Sequence, residues 1–259
     1  MLEELFNAVR DAGFSGLAAY YTLIMTGALA AAVMIYLKTD KINCENKVKR
    51  RVYVAFIAAG AVGFFCSNAF KWFFIPNSFD FPFFERVLRS GFTFFVGMLT
   101  FFGSALLILK LLKQNAGFWV ERAVPPVAAF NAISRVGCIF LGCCGGIHID
   151  ADFFGIRLEH FPVIEIEIAV MTVLFFILAD RKKRNVKNKL FWYLLVYCVL
   201  RFFLEFVRED RGAHSLAGLN VPQLIALSVL AVLAASLIIN YAKTKKLFKE
   251  KTPPPPVNG

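Results

Sequence analysis

Seven long apolar runs divide this sequence, and they constrain its fold more than any other feature. A stretch of about 18 or more mostly apolar residues is long enough for an α-helix to cross a bilayer. The runs cover approximately residues 17–37, 52–75, 91–112, 124–144, 163–179, 190–207 and 221–242. We therefore predict an all-α polytopic membrane protein with about seven transmembrane helices.

The composition agrees with a membrane protein. Of the 259 residues, 58% are hydrophobic and 30 are phenylalanine, a larger apolar share than a soluble domain of this length needs. Only 18% of the residues are charged, and they cluster between the apolar runs. The sequence contains no P-loop, HExxH or GxSxG motif, which excludes the commonest soluble active-site templates.

Lysine and arginine are concentrated in alternate connections between the runs. The basic clusters lie at residues 38–51, 110–122, 181–189 and 243–251. The positive-inside rule then places the N-terminus outside and the C-terminus in the cytoplasm. The net charge of +11 therefore reflects topology, and we predict contact with the membrane but no nucleic-acid partner.

Both ends of the chain are predicted to lie outside a membrane domain at residues 15–242. Apolar residues recur at helical spacing within residues 1–14, which predicts an interfacial amphipathic helix. This start lacks the pattern of a cleaved signal peptide. Residues 243–259 are predicted to form a basic, proline-rich cytoplasmic tail. Pro125 and Pro126 are expected near the start of the fourth helix, where proline is best tolerated.

Two arginines lie inside apolar runs, Arg135 in the fourth and Arg201 in the sixth. An arginine at the centre of a spanning helix costs about 2.5–3.5 kcal/mol on insertion scales. It is therefore expected to face a protein interior or a wet cavity, together with a partner. We predict that both arginines serve a site for an anion. The abundant small anion of a bilayer is a phospholipid headgroup.

The sixth run also carries a polar stripe of four residues, Tyr197, Arg201, Glu205 and Arg208. Their spacing places them within about 80° of one helix face, and such a stripe is expected to face the bundle interior. One interpretation is a structural ion pair between Arg201 and Glu205 that locks two helices. The other is an anion site, which the surplus positive charge favours.

Arg135 is followed by glycines that permit close approach of a ligand or of another helix, and both alternatives remain open. Glu167 is a candidate counter-charge for Arg135. Glu165 projects about 200° away from Glu167, so both cannot face the same site.

Three of the six cysteines cluster, at Cys138, Cys143 and Cys144. A metal site or a redox pair is one interpretation, but the spacing matches no established zinc pattern. Packing of small apolar side chains is the favoured alternative, and a disulfide remains open. We predict no metal and no cofactor.

Five segments resemble motifs of the bacterial prolipoprotein diacylglyceryl transferases. SRVGCIFLGCCGG is similar to the family signature at Arg135, Gly137 and Gly146. The other matches are Tyr197, Arg201, Glu205 and Arg208 in YCVLRFFLEFVRED, Gln223 in SLAGLNVPQLIAL, Pro162 and Glu167 in FPVIEIE, and Gly91, Phe94 and Gly97 in SGFTFFVGM. The segments follow the family's order and cover about residues 15–242. The chain departs from the pattern at Phe95 and Phe161, where the family has histidine, at Cys138 for asparagine, and at Cys143 for glutamate.

The resemblance implies a multi-pass enzyme of the bacterial plasma membrane with its active site toward the outer face. The implied reaction moves a diacylglyceryl group from phosphatidylglycerol to the lipobox cysteine thiol of a secretory precursor and releases glycerol phosphate. Arg135 and Arg201 are then the expected catalytic residues. The expected substrate-binding residues are Tyr197, Glu205, Arg208, Glu167, Gly97 and Gln223. Two alternatives stay open, a different acceptor for the same lipid donor and a non-catalytic phospholipid-binding scaffold.

Overall fold

The structure, a computed structural model, describes residues 16–72, 93–141, 144–153, 156–179, 188–209, 215–216 and 218–251. This part of the chain is mostly helical. Its α-helices are α1 (Gly16–Asp40), α2 (Asn46–Trp72), α3 (Phe94–Leu111), α4 (Ala116–Leu141), α5 (Val163–Ala179), α6 (Lys189–Leu204) and α7 (Val221–Lys251). A 3-10 turn at Glu205–Val207 continues α6.

Several helices have the length and composition of membrane spans. The segments that meet both requirements are Asn46–Phe70, Phe94–Leu111, Ala116–Phe140, Lys189–Val207 and Val221–Ala242. Helix α1 contains a shorter apolar stretch, Thr22–Leu37, and α5 is apolar but has 17 residues. The described residues therefore agree with an all-α polytopic membrane protein, while seven crossings and their orientation stay predictions.

Two short antiparallel hairpins, which the sequence analysis did not predict, join the helices. Strand β1 (His148–Phe153) pairs with β2 (Ile156–His160) between α4 and α5. Strand β3 (Ser215–Leu216) pairs with β4 (Leu219–Asn220) between α6 and α7. Both hairpins follow helices whose last turns carry the candidate site residues.

Helix α4 is the centre of the bundle and α7 lies at its periphery. In the apolar segment of α4, 67% of the residues are buried inside the protein, against 6% in that of α7. Helix α4 packs against α1, α3, α5 and α6, and its buried residues include Val120, Val124 and Ala128. Helix α7 leaves Val232 and Ile238 exposed, as expected for a helix that faces lipid.

Close helix contacts depend on two glycines. A Cβ atom at Gly63 of α2 would lie 2.8 Å from the carbonyl oxygen of Gly97 in α3. A Cβ atom at Gly27 of α1 would lie 3.1 Å from side-chain atoms of Ile133 and Phe130 in α4. Since membrane helices gain little from the hydrophobic effect between themselves, small residues that allow such contacts favour their association.

The prediction that Pro125 and Pro126 mark the start of the fourth helix is wrong. Helix α4 begins at Ala116, so both prolines lie in its interior. Asn115 stabilises this earlier start, because its side-chain oxygen accepts a hydrogen bond from the Phe118 amide at 3.2 Å. Trp119 is buried in the core, which extends the packed part of the helix upstream of the prolines.

The second turn of α4 also holds the start of α6. Glu121 accepts backbone hydrogen bonds from Lys189 and Leu190, the first residues of α6. The side chain of Lys189 donates to the Leu178 carbonyl of α5 at 2.7 Å. These bonds fix three helices together at one end of the bundle. The predicted amphipathic helix at residues 1–14 lies outside the described residues, as does the tail beyond Lys251.

Candidate functional site

Five buried charged side chains form one continuous line. Nε of Arg135 lies 2.8 Å from Oε1 of Glu167, and Nη1 of Arg201 lies 3.7 Å from Oε2 of the same carboxylate. Nη2 of Arg201 lies 3.3 Å from Oε2 of Glu205, which is 3.7 Å from Nη1 of Arg208. Charges alternate along this line, which we call the arginine–glutamate chain. The structure thus brings together five residues that the sequence analysis singled out.

Three helices deliver these residues to the same end of the bundle. Arg135 lies in the last two turns of α4, Glu167 lies one turn into α5, and Arg201 lies in the last turn of α6. Glu205 and Arg208 follow in the 3-10 turn and just after it. Because α5 runs antiparallel to α4 and α6, the start of one helix meets the ends of the other two. The end that Glu121 fixes is the opposite one.

The arginine–glutamate chain carries a surplus positive charge. Its members are at most 9% exposed. Within the described residues, three arginines and two glutamates leave one net positive charge. Several N–H groups also have no aligned hydrogen-bond acceptor in that part of the chain, among them Nε of Arg201 and Nε of Arg208. Buried charges are stable only when paired, so this arrangement favours an additional anion.

The contact between Arg135 and Glu167 is an ion pair rather than an aligned hydrogen bond. The N–H at Nε of Arg135 does not point at the carboxylate oxygen, although the two heavy atoms are 2.8 Å apart. The guanidinium and the carboxylate attract each other at this distance but do not form a bidentate pair with two parallel hydrogen bonds. An arginine held in this way keeps donors available for a second acceptor.

Tyr197 forms an aromatic wall beside the charges. Its ring is fully buried and stacks on Tyr193 at 6.1 Å, while Phe94 and Phe95 of α3 contact it edge-on at 5.8 and 5.3 Å. The phenol group of Tyr197 is close enough to Arg135 and Glu167 to interact with their charges. Phe95, which stands where the resemblance expected a histidine, therefore packs on Tyr197 and offers no proton donor or acceptor.

A buried polar strip on α4 continues the site. Asn131 is fully buried beside the Tyr193 hydroxyl, and the hydroxyl of Ser134 donates to the Asn131 carbonyl at 2.9 Å. One turn further on, Nη1 of Arg135 donates to Sγ of Cys138 at 3.8 Å. Neither Asn131 nor Ser134 was among the predicted site residues, although Asn131 lies one turn before Arg135 on nearly the same helix face.

The cysteine cluster is only partly described. Cys138 packs with Ile24 and Ile164, in line with the packing alternative, and Cys143 lies outside the described residues. Cys144 has a φ of 67°, a conformation that non-glycine residues rarely adopt, and lies within electrostatic range of Arg208. Strained backbone of this kind is often found at functional sites.

The backbone after Cys144 fixes the position of Arg208. The Ile147 amide donates to the Val207 carbonyl at 2.8 Å, and the Glu209 amide donates to the Gly145 carbonyl at 3.1 Å. A Cβ atom at Gly146 would lie 2.2 Å from the Phe161 carbonyl oxygen, so only glycine fits there. This crossing of three segments joins the ends of α4 and α6 to the start of α5.

Two predicted substrate-binding residues have structural contacts away from the arginine–glutamate chain. The side-chain oxygen of Gln223 accepts from the Asn220 amide at 2.9 Å, as in a capping box at the start of α7. Its amide group donates to the Phe202 carbonyl at 3.3 Å. Gly97 packs against Gly63 and lines an apolar cavity. A role in substrate binding stays a prediction for both. Gly91 lies outside the described residues.

The apolar cavity has a volume of about 400 Å³ and lies between α1, α2, α3 and α4. Its lining includes Ile24, Phe56, Phe94, Met98 and Phe130. No arginine is among its lining residues in the described part of the chain. Arg135 and Arg201, predicted to serve one anion site, both lie beside the carboxylate of Glu167.

Comparisons with known proteins identify relatives over most of the chain. A family model described as prolipoprotein diacylglyceryl transferase matches residues 11–240. A phosphatidylglycerol–prolipoprotein diacylglyceryl transferase of Clostridium tetani is 24% identical over 225 residues, which cover 82% of this chain and 89% of that relative.

Two further relatives match over shorter regions. Phosphatidylglycerol–prolipoprotein diacylglyceryl transferase 2 of Clostridium perfringens is 29% identical over 161 residues, which cover 58% of this chain and 62% of the relative. A protein of the same activity name from Dehalococcoides mccartyi is 29% identical over 148 residues, which cover 52% and 56%. The chain therefore spans less than two thirds of the length of these two relatives.

Proposed function

The chain belongs to the prolipoprotein diacylglyceryl transferase family, and from this premise we propose that it transfers a diacylglyceryl group from phosphatidylglycerol to a prolipoprotein. The acceptor in this proposal is the thiol of a lipobox cysteine in a secretory precursor. The names of the relatives support both the donor and the acceptor class. The reaction would take place at the outer face of the bacterial plasma membrane.

The observation that carries the proposal is the surplus positive charge of the arginine–glutamate chain. A phosphodiester headgroup supplies one negative charge, which matches the single unbalanced charge of this cluster in the described residues. Arginine holds phosphate through planar, permanently charged donors. Arg135 and Arg201 lie on either side of Glu167, so a phosphate beside that carboxylate would receive donors from both.

The proposed reaction is a displacement at carbon. The acceptor thiolate attacks the carbon of the diacylglyceryl group that is bonded to the phosphate oxygen. A C–S bond forms at this carbon, and its C–O bond to the phosphate breaks. Glycerol phosphate leaves with the electron pair. Arg135 and Arg201 would stabilise the charge that develops on the leaving phosphate, and such stabilisation is strongest where water is excluded. Positive charge near the acceptor cysteine also favours its thiolate form.

In this proposal the apolar cavity receives part of the donor's acyl chains. Phe94 lines that cavity and also contacts Tyr197, which borders the arginine–glutamate chain. The cavity is therefore adjacent to the proposed headgroup site. Met25 and Ile57 line it while being 64% and 73% exposed, so its open side faces the surroundings of the bundle. In a bilayer this side would admit a two-chain lipid laterally.

We propose seven crossings, with the N-terminus outside and the C-terminus in the cytoplasm. The alternate basic connections support this orientation. In this orientation α4 and α6 end at the outer face, where the arginine–glutamate chain then lies. A single cysteine introduced at residues 181–189 of a cysteine-free variant should react with an impermeant maleimide only after the cells are permeabilised. Labelling in intact cells would contradict the topology.

A non-catalytic phospholipid-binding scaffold is the second candidate, favoured by one observation. Phe95, where the motif resemblance implies a histidine in the family, packs edge-on against Tyr197. Its side chain cannot move a proton. A phosphate site without a proton acceptor at this position would bind the donor lipid without transferring it. A different acceptor for the same donor is a variant of the first candidate.

The proposal is tested in a strain whose only diacylglyceryl transferase is this protein. Mass spectrometry of its lipoproteins should detect diacylglyceryl-cysteine with the wild-type protein and with Arg51→Lys, an exposed control on α2. Arg135→Lys and Arg201→Lys should leave most precursor unmodified. Unmodified precursors with the wild-type protein, correctly inserted in the membrane, would refute the transferase proposal and favour the scaffold.

A further inference from the structure

Two histidines face each other across the hairpin between α4 and α5. His148 of β1 and His160 of β2 are directly paired in the antiparallel register. The Phe161 amide donates to the Ile147 carbonyl at 3.0 Å, so the neighbouring pair 147/161 carries the ladder bond. His148 and His160 therefore form a non-hydrogen-bonded pair, the kind in which opposite side chains approach most closely.

The two imidazole rings are close together and accessible. Their centroids are 5.3 Å apart and their planes meet at 70°. Both residues are exposed, so neither ring is needed to fill the core. Two nitrogens that each lie about 2.0–2.1 Å from one ion are roughly 3.3 Å apart in tetrahedral geometry. Rings at the observed separation reach this spacing by rotation about their side-chain bonds.

We propose that His148 and His160 together bind one divalent transition-metal ion, each through one ring nitrogen. Imidazole prefers zinc, copper and nickel to calcium or magnesium, and among these copper binds most tightly. In the described residues no group of three His, Cys, Asp or Glu side chains is placed to hold a metal. Water or a component of the medium therefore completes the coordination, and the bound ion stays exchangeable.

This metal site lies next to the backbone crossing that holds the arginine–glutamate chain. Ile147, which precedes His148, bonds to Val207, and Phe161, which follows His160, bonds to Ile147. A metal that joins the two histidines would fix the stem of the hairpin where α5 and the end of α6 meet. Metal binding by these two histidines does not depend on the proposed transferase reaction.

The test uses the full chain, without an affinity tag, in nanodiscs after removal of metals with EDTA. Cu²⁺ is titrated and followed by electron paramagnetic resonance, which counts the coordinating imidazole nitrogens. The wild type should bind one Cu²⁺ with two imidazole nitrogens. His148→Asn and His160→Asn should each leave one nitrogen and weaken binding at least about tenfold, because the second ligand no longer acts intramolecularly.

The third histidine of the chain, His214, provides the matched control. His214→Asn should keep both the two-nitrogen signal and the affinity of the wild type. Unfolding temperatures without metal verify that all three variants fold. The proposal is overturned if the wild type shows no two-nitrogen site, if the two hairpin variants bind Cu²⁺ as the wild type does, or if only His214→Asn loses binding.

Discussion

Glu167→Gln is the substitution that most directly probes how the buried arginines are held in place. The carboxylate of Glu167 is 1% exposed and lies between Arg135 at 2.8 Å and Arg201 at 3.7 Å. Glutamine keeps the shape of the side chain but replaces the charge with a neutral acceptor and two donors. The described cluster would then hold three arginines against Glu205 alone, which raises its net charge from one to two.

The expected cost follows from the two ion pairs. At an effective dielectric constant of about 20, unit charges at 2.8 and 3.7 Å attract each other by about 6 and about 4.5 kcal/mol. Removal of the carboxylate also removes its desolvation penalty of several kcal/mol, which offsets part of this loss. The net cost of removing one partner of a buried ion pair is therefore about 3–5 kcal/mol. Because glutamine retains an acceptor, we expect about 3 kcal/mol. For a chain of this size this lowers the unfolding temperature by about 6–12 °C.

Glu165→Gln is the matched control, since this residue lies on the same helix and is exposed. Its effect should stay within about 0.5 kcal/mol. Both variants can be compared by thermal unfolding in detergent, followed through the fluorescence of the three tryptophans. If Glu167→Gln lowers the unfolding temperature no more than Glu165→Gln does, the arginines do not depend on this carboxylate and the electrostatic reasoning is wrong.

Further substitutions test other parts of the site. Arg135→Lys and Arg201→Lys should each reduce transfer by about 10²-fold or more, because lysine lacks the planar fork that a phosphate accepts; near-normal transfer rates would argue against phosphate binding by these arginines. Gly146→Ala should destabilise the protein by about 1–3 kcal/mol in thermal unfolding, because the added Cβ would clash with the Phe161 carbonyl. Gly145→Ala is the control and should be nearly neutral, because no atom lies near the position of its added Cβ. Phe95→Ala should reduce transfer less than the arginine substitutions do. Phe95→His should raise transfer to a lipobox peptide if a missing proton acceptor limits the rate. Equal losses in Phe95→Ala and the arginine variants would give the aromatic wall a larger role than proposed.

The helices could be predicted because a bilayer demands long apolar segments. The run predicted at residues 221–242 coincides with the spanning part of α7, and α5 coincides with the run at residues 163–179. The start of α4 differs from the prediction because proline usually marks a helix boundary, whereas a membrane bundle tolerates it inside a helix. The sequence does carry a signal for the first hairpin, because polar and apolar residues alternate in HIDADF and IRLEH on either side of a glycine.

The composition of the site could be predicted more fully than its geometry. Helical spacing identified Tyr197 and Arg201 on α6 and separated buried Glu167 from exposed Glu165. The prediction that Glu205 and Arg208 continue the same α-helical face is wrong, because α6 ends at Leu204 and Arg208 has an extended backbone. Pairing between helices has no such periodicity, so the sharing of Glu167 by Arg135 and Arg201 emerged only from the fold. For the same reason, the contact of Gln223 with the Phe202 carbonyl could not be predicted, because it depends on how α6 packs against α7.

Transfer of labelled lipid by the purified protein tests the central claim most directly. The protein is reconstituted with phosphatidylglycerol that carries deuterium in its diacylglyceryl part, together with a lipobox peptide or its cysteine-to-serine counterpart. Mass spectrometry should find the labelled diacylglyceryl group on the cysteine peptide only, with an equal amount of glycerol phosphate released. Bound phosphatidylglycerol without a labelled peptide and without glycerol phosphate would contradict the account and identify the arginine–glutamate chain as part of a lipid-binding scaffold.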